Sequence, residues 1–320
     1  MSRRFLRMEV RSSLFILALV ISLASCHQKT EAPSAKVFGT PEEAGDAVLA
    51  SAKSGNQDEL IAIFGPDSKG LLTSGDPVQD KNTVQAFIAA YTVMHRWRKM
   101  KDGSETLFIG SDNFPLAIPL KKNAAGQWFF DTAAGKDEML NRRIGRNELA
   151  VINVCKGLVY AEAEYHRALR DGSTTPQYAL KFLSDPGRQN GLYWKSENGQ
   201  PESPLGPAVT LATTQGYSAA GANGPIPFHG YFFRMLTGQT DKAPGGARDY
   251  IVDGKMVKGY AFVAYPAEYG NSGITTFITN QDGLLLQRDL GPDTAKIATA
   301  MTKYDPDNNW DPIPEPGGLQ

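Results

Sequence analysis

Apolar residues recur along this chain at two periods, and the change from one to the other organises it. Thr40-Pro41-Glu42-Glu43 combines a capping residue, proline at the first helical position and glutamate at the third; Ala44, Ala47, Val48 and Ser51 follow at helical spacing. Gly55 ends that helix, and a shorter one is predicted from Gln57 to Phe64. After a loop of Gly, Pro, Ser and Asp from Gly65 to Pro77, Asp80 is placed to cap a third helix. Its apolar face is Val84, Phe87, Ile88, Tyr91 and Met94. The period then shortens. Leu107 to Ile109, Leu116 to Leu120 and Trp128 to Phe130 read as strands, with Asn123-Ala124-Ala125-Gly126 turning the last pair. A long helix is predicted next, from Lys136 to Leu169, with Ile144, Val151, Cys155, Leu158, Val159, Ala163 and Tyr165 near one stripe. Gly145 weakens it, and a break is expected there. Strands return at Tyr231 to Leu236, Tyr260 to Tyr265, Ile274 to Thr279 and Leu284 to Arg288. The loop from Thr237 to Arg248 separates the first two, and Asn280-Gln281-Asp282-Gly283 joins the last two as a hairpin.

This order predicts an α+β protein in two parts. Residues 38–135 carry helices and a curled antiparallel sheet, a pattern that resembles the cone-shaped folds of the nuclear-transport-factor-two and cystatin-like type. Residues 136–312 carry the long helix packed on a second antiparallel sheet, and residues 313–320 form a tail. In this second part, Asn147-Glu148-Leu149-Ala150, Tyr165, Gly259-Tyr260-Ala261-Phe262, Ala264-Tyr265-Pro266, Gly273, Phe277 and Asp282-Gly283 resemble the globular head of type IV pilin and pseudopilin-like proteins.

The first 26 residues set the expected compartment. Arg3, Arg4, Arg7 and Arg11 lead into an apolar run from Leu14 to Ile21, about ten residues with Ser22 and Leu23. That suits a signal-peptide core better than the roughly 20 residues of a membrane span. The run stops at Leu23-Ala24-Ser25-Cys26, which resembles the lipobox of bacterial lipoproteins. The resemblance implies cleavage after residue 25, acylation of Cys26 and a membrane anchor of two or three acyl chains. His27 stands where inner-membrane retention in many Gram-negative bacteria favours Asp, so an outer-membrane site facing the periplasm is expected in such a cell. Residues 26–37, polar and with Pro33, then serve as a tether.

Composition is that of an ordinary globular protein. The 320 residues are 41% hydrophobic and 21% charged. Removing the leader's four arginines and Glu9 from 33 basic and 34 acidic residues leaves a mature chain near a formal charge of -4, without the basic footprint of a nucleic-acid binder. Once Cys26 is acylated only Cys155 remains, so no intramolecular disulfide is available. On its helical stripe Cys155 reads as a small buried hydrophobe rather than a nucleophile.

The search for reactive constellations is largely negative. The four histidines, His27, His95, His166 and His229, are scattered; no metal site and no cofactor is predicted. Gly216-Tyr217-Ser218-Ala219-Ala220-Gly221 misses the spacing of a nucleophile elbow by one residue. Ser111-Asp112-Asn113 lacks the companion motifs of penicillin-binding proteins and reads as a turn. Asp305-Pro306-Asp307-Asn308-Asn309-Trp310-Asp311 is oxygen-rich, yet Trp310 and Pro316 stand where a calcium loop needs Gly and Glu. A capped turn with Trp310 packed inward is expected.

Taken together, the lipobox, Phe129-Phe130-Asp131-Thr132 with Gly135-Lys136, the run Asn141-Arg142-Arg143-Ile144-Gly145-Arg146-Asn147-Glu148, and Tyr265-Pro266-Ala267-Glu268-Tyr269-Gly270 resemble bacterial exported proteins of the domain-of-unknown-function 2950 family. The resemblance implies no activity, cofactor or catalytic residue. The expectation is a binding or assembly module with an envelope protein or polymer as partner. Its surface lies on the carboxy-terminal half, where His229, Tyr231, Phe233 and Arg234 are the candidate contacts. Two alternatives stay open. One is a small-molecule enzyme with Tyr91, His95, Trp128 and Asp131 around the cone, and the other is an accessory of a type IV pilus or type II secretion system.

Overall fold

The computed structural model describes residues 35–196, 201–218 and 226–313. The predicted leader, Cys26, His27, most of the predicted tether and nearly all of the predicted tail lie outside them.

The chain begins as its caps dictate. Thr40 accepts the Glu43 amide, Pro41 opens α1 (Pro41–Ser54), and Gly55 closes it in the left-handed conformation. Asn56 caps α2 (Gln57–Phe64). The segment read as a loop holds a 3-10 turn, Pro66–Ser68, and the short α3 (Lys69–Leu72). The cap of α4 (Pro77–Val93) is Asp76 rather than Asp80, because Pro77 takes the first helical position; Asp80 instead accepts the Ser74 amide through both oxygens at 3.1 Å.

Five strands follow: β1 (His95–Lys99), β2 (Glu105–Ile109), β3 (Phe114–Pro115), β4 (Leu120–Lys122) and β5 (Trp128–Phe130). They form an antiparallel sheet in the order β1-β2-β4-β5, with β3 paired to β2. Strand β1, with Arg and Lys on either side of Trp97, carries no clear alternation, so the pattern of apolar positions misses it. Buried Phe38, Val48, Ile63, Phe64, Ile118, Leu120 and Phe130 make the amino-terminal core, and Trp97 and Phe87 link it to a smaller group of Tyr91, Leu107 and Ile109.

Helix α5 (Thr132–His166) runs unbroken for 35 residues, through Gly145. Asp131 caps it, accepting the Ala134 amide, and Lys121 pairs with the same carboxylate at 2.8 Å. The buried face departs from an apolar stripe at two places: Asn147 and Glu162 have no exposed surface, while Ala163 is exposed.

Beyond α5 come a parallel pair, β6 (Lys181–Leu183) with β7 (Gly191–Tyr193), and α6 (Gly206–Thr214). Then come β8 (Tyr231–Leu236), β9 (Gly238–Gln239), β10 (Arg248–Asp249) and the small hairpin of β11 (Ile251–Val252) and β12 (Lys255–Met256). The last elements are β13 (Ala261–Pro266), β14 (Thr275–Asn280), β15 (Leu286–Asp289), α7 (Thr294–Ala300), β16 (Lys303–Tyr304) and β17 (Asp311–Pro312). The main carboxy-terminal sheet is antiparallel, ordered β17-β15-β14-β13-β8, so β8 is an edge. Every residue of β13 is buried, as expected of a central strand covered on both faces; α5 packs against β14 and α7 against β13. Val151, Cys155, Leu158 and Tyr165 of α5 meet Phe262, Phe277, Ile278 and Leu286 in this core. The architecture is α+β. Among the described residues, no helix is long and apolar enough to cross a membrane.

Candidate functional site

The edge strand β8 in the carboxy-terminal half has unused bonding capacity among the described residues. It pairs with β13 in a register that sets Tyr231 opposite Pro266, Phe233 opposite Ala264 and Met235 opposite Phe262. Proline has no amide hydrogen, and the Tyr231 amide and carbonyl bond outward instead, to Phe228 at 3.2 and 2.8 Å. In an antiparallel ladder the bonding direction alternates, so Phe233, Met235 and Thr237 also point their amides away from β13. The Thr237 amide donates to Thr302 at 2.9 Å. Phe233 and Met235, both partly exposed, find no backbone or side-chain partner on that edge among the described residues. A window of two residues thus stays open between closures at either end.

The four residues predicted for a partner surface divide among different tasks. His229, in the left-handed conformation, packs against the Phe228 and Tyr217 rings with centroids 4.2 and 6.1 Å away. Burial pushes its imidazole below the ordinary value, with Asp76 opposing that shift. Tyr231 has no exposed surface to offer a partner; its hydroxyl donates to the Thr275 carbonyl at 2.8 Å inside the core. Arg234 donates to the Ala298 and Thr299 carbonyls, both at 2.7 Å, neutralising the carboxy end of α7. Phe233 contributes through its backbone.

The residues considered for a catalytic cone are likewise held in structural contacts. His95 stacks on Tyr91 at 4.0 Å, Trp128 exchanges backbone bonds with Phe38 beneath Lys122, and Asp131 is the α5 cap. Lys121 holds the Asp131 carboxyl below the usual carboxylate range. Cys155 is fully buried, and that burial pushes its thiol far above the ordinary value. Among the described residues no three His, Cys, Asp or Glu side chains converge as metal ligands do. Asn113 sits in a turn after β2 with positive φ, and Asp307 caps the turn at Asn309 with Trp310 packed inward. The Gly/Ala stretch after Ser218 and the predicted acylation site Cys26 lie outside the described residues.

Sequence reasoning missed a polar seam between the amino-terminal helices and the carboxy-terminal sheet. Asp76 Oδ2 accepts from the Tyr217 hydroxyl at 2.8 Å and from the Gly230 amide at 3.0 Å. Gln79 donates to Asn147 Oδ1, and Asn147 donates to the Ser272 carbonyl, each at 2.8 Å. Arg143, half-buried, donates to the Leu71 and Thr73 carbonyls and to Asn271. This seam holds the Gly230 end of β8 in place.

A family model described as a protein of unknown function, DUF2950, matches residues 35–313. No curated protein and no solved structure matches the chain.

Proposed function

This chain belongs to the DUF2950 family of proteins of unknown function, and we propose that it is an exported, lipid-tethered module that binds an envelope partner through the open edge of β8. The observation that carries this reading is the unpaired pair Phe233 and Met235, an edge on which an extended segment of a partner protein can add as a further strand. Such binding uses main-chain hydrogen bonds for affinity and needs no reactive side chain. Closure at Phe228 and Thr302 restricts the edge to a short segment, which also limits uncontrolled edge-to-edge association.

The tether is read from the lipobox at Cys26. In a Gram-negative cell the module faces the periplasm from the outer membrane, and restriction to that surface raises its effective concentration toward other anchored components. A narrower version makes the partner a component of a type IV pilus or type II secretion system. The long α5 lying against an antiparallel sheet supports it.

Two experiments test the proposal. Metabolic palmitate labelling is expected to mark the protein and to vanish in Cys26→Ser; label that survives the substitution removes the tether. In-cell crosslinking from position 233, followed by mass spectrometry, is expected to return a reproducible envelope partner. A purified protein that instead turns over a defined small molecule, with no crosslinked partner, replaces the reading by an enzymatic one.

A further inference from the structure

Away from the β8 edge, the last residue of α5, His166, joins Tyr178, Arg248, Lys258 and Gln281 in lining a recess of about 400 Å³. Among the described residues, no Asp or Glu lines it. Arg248 is half-buried and has no ion pair among the described residues; its Nη2 donates to Gln281 Oε1 at 2.8 Å, with the Gln281 amide nitrogen donating to the Tyr260 carbonyl at 3.0 Å. Its Nε is enclosed without an acceptor. A guanidinium removed from water in this way is left short of a counter-ion, and an oxyanion from outside supplies one. Lys258 is exposed beside it, with no ion pair among the described residues. The opposite wall is flat: the His166 ring stacks on Tyr178 with centroids 4.4 Å apart, and Tyr178 leans on Tyr260 at 4.9 Å.

The surrounding carboxyl groups do not supply the missing charge. Glu162, one turn before His166, is buried, and that burial raises it to about 8. Asp282, whose field reaches Tyr178, is exposed to solvent that screens its charge and accepts from Asn280 at 3.0 Å, and Asp249 pairs with Lys303 at 3.2 Å. The carboxy end of α5 adds a partial negative charge at the recess, which favours a monoanion over a dianion.

We propose that this recess binds a small planar carboxylate, with its oxyanion on Arg248 and Lys258 and its flat remainder against the stack of His166 on Tyr178. Two terminal guanidinium nitrogens match the two oxygens of a carboxylate, and the volume suits a small organic molecule. The site is separate from the β8 edge, so failure of crosslinking there leaves it standing.

Calorimetric titration of the full-length protein with benzoate tests the assignment, with inorganic phosphate as the competing anion. Saturable benzoate binding is expected, weakened about tenfold or more in Arg248→Gln and about threefold in Lys258→Gln, whose exposed side chain leaves folding intact. Phosphate is expected to bind more weakly than benzoate. Absence of saturable benzoate binding up to about 10 mM, an affinity indifferent to Lys258→Gln, or tighter binding of phosphate overturns the proposal.

Discussion

The Tyr217 hydroxyl and the Asp76 carboxylate meet at 2.8 Å although 141 positions separate them in the chain. The same carboxylate caps α4 through its other oxygen, at 3.0 Å from the Gln79 amide, and also takes the Gly230 amide beside β8. One side chain therefore ends a helix and fastens two distant segments to it. Burial, with Asp76 as the hydrogen-bond acceptor, pushes the Tyr217 hydroxyl well above its ordinary range, so it remains a donor.

Removing the shared acceptor should cost more than removing either donor. Asp76→Ala deletes a helix cap and strands two buried donors, for an expected loss of about 3–5 kcal/mol; Tyr217→Phe should cost about 1–2 kcal/mol. Urea unfolding of both variants and the double variant checks this. Strict additivity would show that the two side chains act independently.

Glu162 should make stability depend on pH. Its side chain has no exposed surface; Oε2 accepts the Ala179 amide at 2.9 Å and Oε1 has no partner among the described residues. Burial raises its pKa from the ordinary 4.5 to about 8. Between those values the folded state holds a proton that the unfolded state has released, so stability falls as pH rises through that window. Glu162→Gln should match the wild type near the bottom of the window and exceed it by about 1–3 kcal/mol above the top. Parallel stability curves for the two proteins would contradict this.

Two glycines of α5 should respond oppositely to alanine. A Cβ at Gly135 would lie 2.6 Å from the Ile118 Cα and 2.7 Å from the Ala117 carbonyl oxygen, where only backbone can yield. Gly135→Ala is expected to cost about 2–3 kcal/mol. At Gly145 a Cβ meets nothing within 4 Å, and Gly145→Ala should add about 0.5–1 kcal/mol through helix propensity. Thermal unfolding of both variants separates the two cases, and a shift of the same sign in both would be inconsistent with this packing.

What the sequence made legible was local. Thr40, Pro41 and Gly55 bound α1, and Tyr231 to Leu236 is the strand its residues announce, because caps and alternation act within a few positions. Asp76 rather than Asp80 is the cap because Pro77, which local composition assigns to the preceding loop, opens the helix. Asn147 and Glu162 broke the apolar stripe of α5 because their partners, Gln79, Ser272 and Ala179, come from other segments. The aromatic residues of β8 point by pattern to a contact surface, yet Tyr231 is spent on the core. What remains open is the edge backbone, and its availability follows from register with β13 rather than from any side chain. The recess at the end of α5 gathers residues from separate stretches between 166 and 281, which no linear motif spans.

The binding account is tested most directly by closing the β8 window without changing its surroundings. Met235→Pro deletes one of the two unused outward amides, and an edge strand accepts proline where its amide faces away from the sheet. The measurement is the yield of partner crosslinked in cells from position 233, compared between the full-length wild type and Met235→Pro, with thermal unfolding of both to confirm an equal fold. The account predicts that the yield falls about tenfold or more with the fold retained. An undiminished yield in a folded Met235→Pro protein would contradict it.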